Sequence, residues 1–176
     1  MDPELLAILA CPRCRSATSF AASYKDNRQL TCSACALKLP RGKSGYLDFL
    51  DWNQRETAAT SEQRFMESEL VARLYERTWR PAFVRLFAGK GMAGAVGGVA
   101  GELFVHKQSL SLDDRPGPWL DLSCGPGLFT RAMGAAAPGA LVVGLDISRA
   151  MLDVAATRIA GYRNVHLIRG DAHALP

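Results

Sequence analysis

Two groups of residues in this 176-residue sequence have the types and spacing to do chemistry. The first is Cys11-Pro12-Arg13-Cys14 followed, after 17 intervening residues, by Cys32-Ser33-Ala34-Cys35. A C-x2-C knuckle turns two thiolates toward one point, and two knuckles at this separation complete a tetrahedral four-sulfur shell for zinc. A disulfide framework is the competing reading. The paired knuckles argue against it, and so does the start MDPELLAILACPRC, which lacks the basic region and cleavage site of a secretory signal. The second group is Asp121, Asp146 and Asp171, spaced 25 residues apart, with Gly125 and Gly127 just after the first.

The elements that would position the aspartates are legible around them. Trp119-Leu120-Asp121-Leu122 reads as a strand, Leu128 to Ala137 as a helix ended by Pro138-Gly139, and Ala140 to Leu145 as a second buried strand closed by Asp146. Ser148 caps the next helix, whose inner stripe is Leu152, Ala155, Ala156 and Ile159, with Gly161 at its C′ position. Asn164 to Ile168 is the third strand. Strand–helix alternation with short connections makes a parallel sheet, and ligands of such sheets bind beyond the carboxyl ends of the strands. Three carboxylates therefore fall along one rim. The two glycines let backbone pass close to a ligand, and the following helix offers unpaired N–H groups.

A dinucleotide site needs G-x-G-x-x-G, and the third position here is Thr130. That weakens the dehydrogenase reading and favours a nucleoside without a pyrophosphate. The plain alternative for Asp146 and Asp171 is a capping or turn role.

Upstream, residues 1–50 read as a small β-rich unit with strand-like runs at 19–24, 29–32, 37–39 and 45–50, preceded by an apolar segment, Glu4 to Leu9. About 50 residues bury too little apolar surface to fold comfortably alone, so the metal supplies folding free energy and a chelator unfolds this unit. Residues 51–117 read as a helical linker or cap. Phe65, Leu70, Val71, Leu74 and Tyr75 form an apolar stripe, and Pro81 stops or kinks the helix. A second stripe begins at Phe83, Val84, Leu86 and Phe87. Six glycines in residues 89–101 favour a loop, and a short helix follows over 102–112. Residues 113–118 mark the boundary to the 118–176 unit.

Composition bounds the rest. With 48% hydrophobic and 22% charged residues the chain is globular rather than wholly disordered. A net charge of +4 is far below the dense field of a dedicated nucleic-acid binder. The positive ribbon (Arg13, Arg15, Lys25, Arg28, Lys38, Arg41, Lys43) is a solvated surface or meets an acidic protein or nucleic-acid partner. No stretch approaches the ~20 apolar residues of a membrane-spanning helix. His106, His166 and His173 are scattered; His166 reads as a filler of the sheet surface, and Tyr75 and Arg80 as packing and solvated-face residues.

The sequence D-L-S-C-G-P-G at 121–127, V-V-G-L-D-I-S at 142–148 followed by Met151-Leu152, and G-D-A-x-x-L-P at 170–176 resemble the first three motifs of class I S-adenosylmethionine-dependent methyltransferases. L-L-A-I-L-A-C-P-R-C at 5–14, the second knuckle and Y-L-D-F-L at 46–50 are similar to small zinc-ribbon methyltransferase activators. With L-Y-E-R-T-W-R at 74–80, the whole resembles uncharacterised plant and algal plastid methyltransferases. The resemblance implies an α/β fold, a zinc-ribbon-like β unit followed by the first half of a Rossmann-like sheet. It implies a plastid location, with the cytoplasm as the alternative, and a soluble protein.

The roles implied by the resemblance are these. Asp121 orders the loop and the methionyl amino group, and Gly125 and Gly127 lie against the methionyl–ribose portion. Asp146 binds the ribose hydroxyls and Met151 packs on the adenine face. Asp171 accepts from the adenine amino group, and the Ala172 N–H donates to the ring. Ser123, where the family usually has glycine, and Ile147 complete the cofactor-binding set. Cys11, Cys14, Cys32 and Cys35 hold zinc, and Cys124 is structural. No catalytic base is assigned, and the methyl acceptor is not written in these residues. In the family's sheet the first strand lies beside the fourth, so three strands leave the first as an exposed apolar edge. The expectation is a fragment that binds S-adenosylmethionine weakly and methylates nothing alone. The alternative is a non-catalytic zinc-ribbon adaptor that docks a partner.

Overall fold

The computed structural model describes residues 2–17, 20, 29–50, 65, 68–87, 98–112 and 117–176. The strand-like run at 21–24, the segment 51–64 and most of the glycine-rich run at 89–97 lie outside the described residues.

The apolar start folds as helix α1 (Pro3–Ile8), with Asp2 as its cap and Leu5 and Leu6 buried. Strands β1 (Gln29–Thr31) and β2 (Lys38–Pro40) pair antiparallel behind the knuckles. The next strand, β3 (Leu47–Asp48), leaves the ribbon. It pairs parallel with β6 (Val165–Arg169), in a four-stranded sheet of order β3-β6-β5-β4, where β4 is Trp119–Leu122 and β5 is Val142–Asp146. A ribbon read as self-contained does not foresee this strand exchange.

Alternation sorts the sheet's two faces. Leu141, Val143, Leu145 and Ile168 share one buried cluster with the ribbon's Leu5, Leu9, Phe20, Leu30 and Leu39. Val142, Val165 and Leu167 point the other way, into a cluster with Met133 of α5 (Leu128–Ala136) and with Leu152, Ala155 and Ile159 of α6 (Arg149–Ile159). The ribbon is thus one layer of a three-layer structure, covering the face that the two helices leave bare. The inner stripe read for α6 is the one observed, and Ser148 caps it, accepting from the Met151 N–H. Gly161 is not left-handed; the helix closes instead with the Tyr162 N–H on the Ile159 carbonyl.

β4 lies at the edge of the sheet, and Leu120 and Leu122 are 47% and 48% exposed. This is the apolar edge expected from the resemblance.

The helical reading of residues 68–87 holds, but its buried stripe differs. Helix α2 (Glu69–Leu74) runs through a π-helical turn, Tyr75–Trp79, into α3 (Arg80–Phe87). Phe65, Leu70 and Leu74 are exposed, and the buried residue is Ala72. A periodic stripe is buried only where an element lies opposite, and α2 meets α6 through its small side. Pro81 does not stop the helix. The Arg80 N–H bonds to the Tyr75 carbonyl five residues back, so Pro81 falls in the first turn of α3, where a missing N–H is tolerated. Helix α4 (Gly98–Leu110) begins four residues before the helix read from sequence, taking in the last glycines.

Candidate functional site

The four cysteines of the knuckles meet. Cys11 and Cys35 sulfurs are 3.7 Å apart, as are those of Cys14 and Cys32, and all four lie within 4.8 Å of one another. A tetrahedron with zinc–sulfur bonds of about 2.3 Å has edges of about 3.8 Å, whereas a disulfide would need about 2.05 Å. All are free thiols, so the disulfide reading is set aside. The two knuckles are built alike. The Arg15 N–H bonds to the Cys11 carbonyl and the Ala36 N–H to the Cys32 carbonyl, and both donors are left-handed, at φ 58° and 57°. Neither is glycine, so only the fold reveals the repeat. Burial pushes the Cys11 thiol up to about 12, and neighbouring thiols add to it. A divalent cation among the sulfurs reverses that preference, which is the chemistry this donor set fits.

At the other site, register decides where the aspartates stand. Asp121 pairs with Gly144, and Asp146 pairs with Arg169. Each aspartate is therefore two residues further along the strand direction than the last, a step of ~6–7 Å. The equal sequence spacing gives an ascending diagonal rather than one level rim. Asp121 lies inside β4, Asp146 ends β5, and Asp171 stands two residues past β6.

Asp146 is the centre of the arrangement. Its buried carboxylate accepts from the Gly125 N–H at 2.7 Å and the Ser148 N–H at 2.8 Å. The carboxylate has further lone pairs to offer. Gly125 is left-handed (φ 52°), with nothing within 4 Å of where a side chain would begin, so the loop leaves room above it. Gly127 is left-handed too (φ 81°), but a side chain there would meet Ala155 at 3.1 Å, which gives it a packing reason to be glycine. Ser123 is exposed and left-handed at φ 57°, a conformation that explains why glycine suits this position better.

Asp121 is held by the Thr130 hydroxyl, which donates to Oδ2 at 2.6 Å. Burial raises its pKa, the Thr130 hydroxyl opposes this, and the Asp146 charge adds to the rise. Thr130 occupies the third position of the glycine pattern, and the close helix–strand approach is made from the strand side instead. A side chain on Gly144 would meet Thr130 Cγ2 at 2.9 Å. Sequence reasoning missed both Gly144 and the Thr130 bond; a glycine inside a buried strand was the available signal. The Arg80 guanidinium lies 4.7 Å from the ring centre of Phe129 on α5, and the His106 ring packs against the same ring in a T-shaped arrangement.

Asp171 is half-exposed, and its Oδ1 accepts from the His173 N–H at 2.9 Å and faces the ring Nδ1 at 3.0 Å. These His173 bonds hold its carboxyl below the ordinary value. Ala172 and Ile147 are exposed at the same end, and Met151 is buried in the first turn of α6. Burial, then the charges of Asp146 and Asp121, push the Cys124 thiol far up, which makes it inert. His166 does more than fill the surface, since its Nε2 lies 3.2 Å from the Asp2 carboxylate that caps α1. An apolar cavity of about 430 Å³ runs along the outer side of β4, with Leu120, Asp121, Phe129 and Phe104 on its walls.

Residues 120–176 match the family model of a methyltransferase domain. The chain is also similar, at 29% identity and over its full length, to an uncharacterised chloroplastic methyltransferase of Arabidopsis thaliana, of which it covers 51%. A malonyl-[acyl-carrier protein] O-methyltransferase of Legionella pneumophila is 35% identical over 78 residues, 44% of this chain and 27% of that protein. Among solved structures, magnesium protoporphyrin IX methyltransferase of Synechocystis with S-adenosylmethionine is 24% identical, with a TM-score of 0.37 over 62% of this chain and 57% of that one. The chain spans about half the length of the Arabidopsis relative.

The matched segment has α5 and α6 as its helical layer, while the ribbon supplies the opposite one. None of the described helices is long and apolar enough to cross a membrane.

Proposed function

We propose that the tips of β4, β5 and β6 bind S-adenosylmethionine and that the protein transfers its methyl group to an acceptor. The observation that carries this reading is Asp146, a buried carboxylate clasped by two loop N–H groups beside the open space over Gly125. Its remaining lone pairs take the two ribose hydroxyls. Gly125 leaves room for the methionyl–ribose portion. Asp121, anchored by Thr130, holds the loop at its base. Asp171 and the Ala172 N–H take the adenine edge, with Met151, Ile147 and Ser123 around the nucleoside.

When bound, S-adenosylmethionine supplies a methyl carbon made electrophilic by its sulfonium. The chain's own part is to fix that carbon in line with an incoming nucleophile and to keep water away, so orientation supplies most of the rate. In the ribbon, Cys11, Cys14, Cys32 and Cys35 hold zinc as a structural ion, since four protein ligands leave no open position. The likeness to the chloroplastic Arabidopsis relative supports a plastid location. The adaptor alternative gains nothing from the matches, which are to methyltransferases.

Calorimetry against S-adenosylhomocysteine tests the reading. The unmodified chain is expected to bind, and Asp146→Ala to abolish binding while the circular dichroism spectrum is kept. Unchanged affinity in Asp146→Ala would overturn it.

A further inference from the structure

The strand that leaves the ribbon brings to the sheet tips a carboxylate, Asp48 of the Y-L-D-F-L run, to which the sequence reading assigns no role. Asp48 is 1% exposed, and an acid so buried persists only when paired. Arg169 Nη1 lies 3.2 and 3.3 Å from its two oxygens, the Leu50 N–H donates to it at 3.0 Å, and the Arg149 guanidinium stands at 3.6 Å. The same Arg169 turns its Nε to the Ile147 carbonyl at 3.0 Å. Ile147 sits between Asp146 and Ser148, and the Ser148 N–H is one of the two that clasp the Asp146 carboxylate. The Gly170 N–H, next to Arg169, holds the Asp146 carbonyl at 3.0 Å.

We propose that Asp48 is a positioning residue for the nucleoside site, acting through Arg169 on the Ile147–Ser148 peptide, whose N–H clasps the Asp146 carboxylate. The guanidinium is a rigid fork that serves two acceptors in fixed directions, here the ribbon's carboxylate and the β5 loop carbonyl. Asp48 sets the fork, the fork sets the Ile147 carbonyl, and that peptide sets the direction in which Asp146 presents its free lone pairs. The ribbon thereby contributes to the cofactor site without touching the cofactor. This rests on the reading of the strand tips as an S-adenosylmethionine site. A merely structural role, pinning β3 to β6, would change stability and leave the loop alone.

The test uses Asp48→Asn, which keeps the shape and removes the charge, and Arg169→Lys, which keeps the charge and removes the fork. Three quantities are read: S-adenosylhomocysteine affinity, metal content, and amide hydrogen exchange at Ser148 and Gly125. Both variants are expected to bind S-adenosylhomocysteine roughly threefold to thirtyfold more weakly, to exchange faster at Ser148, and to keep the metal. If affinity and Ser148 exchange match the unmodified chain while only the melting temperature falls, the proposal is overturned. Should the unmodified chain not bind S-adenosylhomocysteine, the cofactor reading fails separately. Ser148 exchange then still decides whether Asp48 controls this loop. Should Asp48→Asn not fold, Arg169→Lys carries the same comparison.

Discussion

Stripping the metal from the cysteine cluster is expected to unfold the sheet together with the ribbon. Leu141, Val143, Leu145 and Ile168 are buried in one cluster with ribbon side chains. Burying an aliphatic side chain stabilises by about 1.5–3 kcal/mol, so these four depend on the ribbon for roughly 6–12 kcal/mol. A whole domain is stable by only about 5–15 kcal/mol. A structural zinc contributes about 10–16 kcal/mol to the folding of such a module, so its removal dissolves the layer that covers the sheet. The measurement is hydrogen exchange of the zinc-loaded chain during titration with a strong chelator. It follows β5, all of whose residues are buried, alongside the ribbon strands β1 and β2. One shared transition is expected. Retained protection in β5 after that in β1 and β2 is lost would refute the reasoning and make the ribbon an independent unit.

Other outcomes follow from single positions. Ser123→Gly relieves a left-handed serine and should raise stability by up to about 1 kcal/mol, seen as a higher melting temperature; a fall would show that the hydroxyl is needed. Gly144→Ala forces a methyl against Thr130 and Leu167, each at 2.9 Å, and should destabilise by about 1–3 kcal/mol in urea unfolding. Because burial raises the Asp121 pKa in the folded chain, the native state keeps that proton longer than the unfolded one. Its contribution to stability is therefore full below the unfolded value of about 3.9 and is lost as pH rises through the raised one. Melting curves of Asp121→Asn across that window should lack this decline. Cys124 should resist iodoacetamide at neutral pH in the folded chain and react only on unfolding, as followed by mass spectrometry.

What the sequence determined by itself is whatever depends on near neighbours. Two C-x2-C knuckles specify four converging sulfurs because a knuckle's geometry is set within four residues. The β4–β6 strands, the α5 and α6 helices, the Ser148 cap and the position of Asp146 at a strand end follow from local periodicity and turn chemistry in the same way. The apolar edge at β4 was legible only through the family resemblance. Tertiary structure decided the rest, because it depends on register and on which faces meet. The height of each aspartate is set by strand pairing, so equal spacing in the chain became a diagonal in space. The burial of Ala72 rather than Leu70 was decided by the element lying opposite. Above all, nothing local in Leu47–Asp48 says that it joins the sheet beside β6. Asp48 and Arg169 are 121 residues apart, and their pairing exists only because the ribbon covers a face that the helices do not.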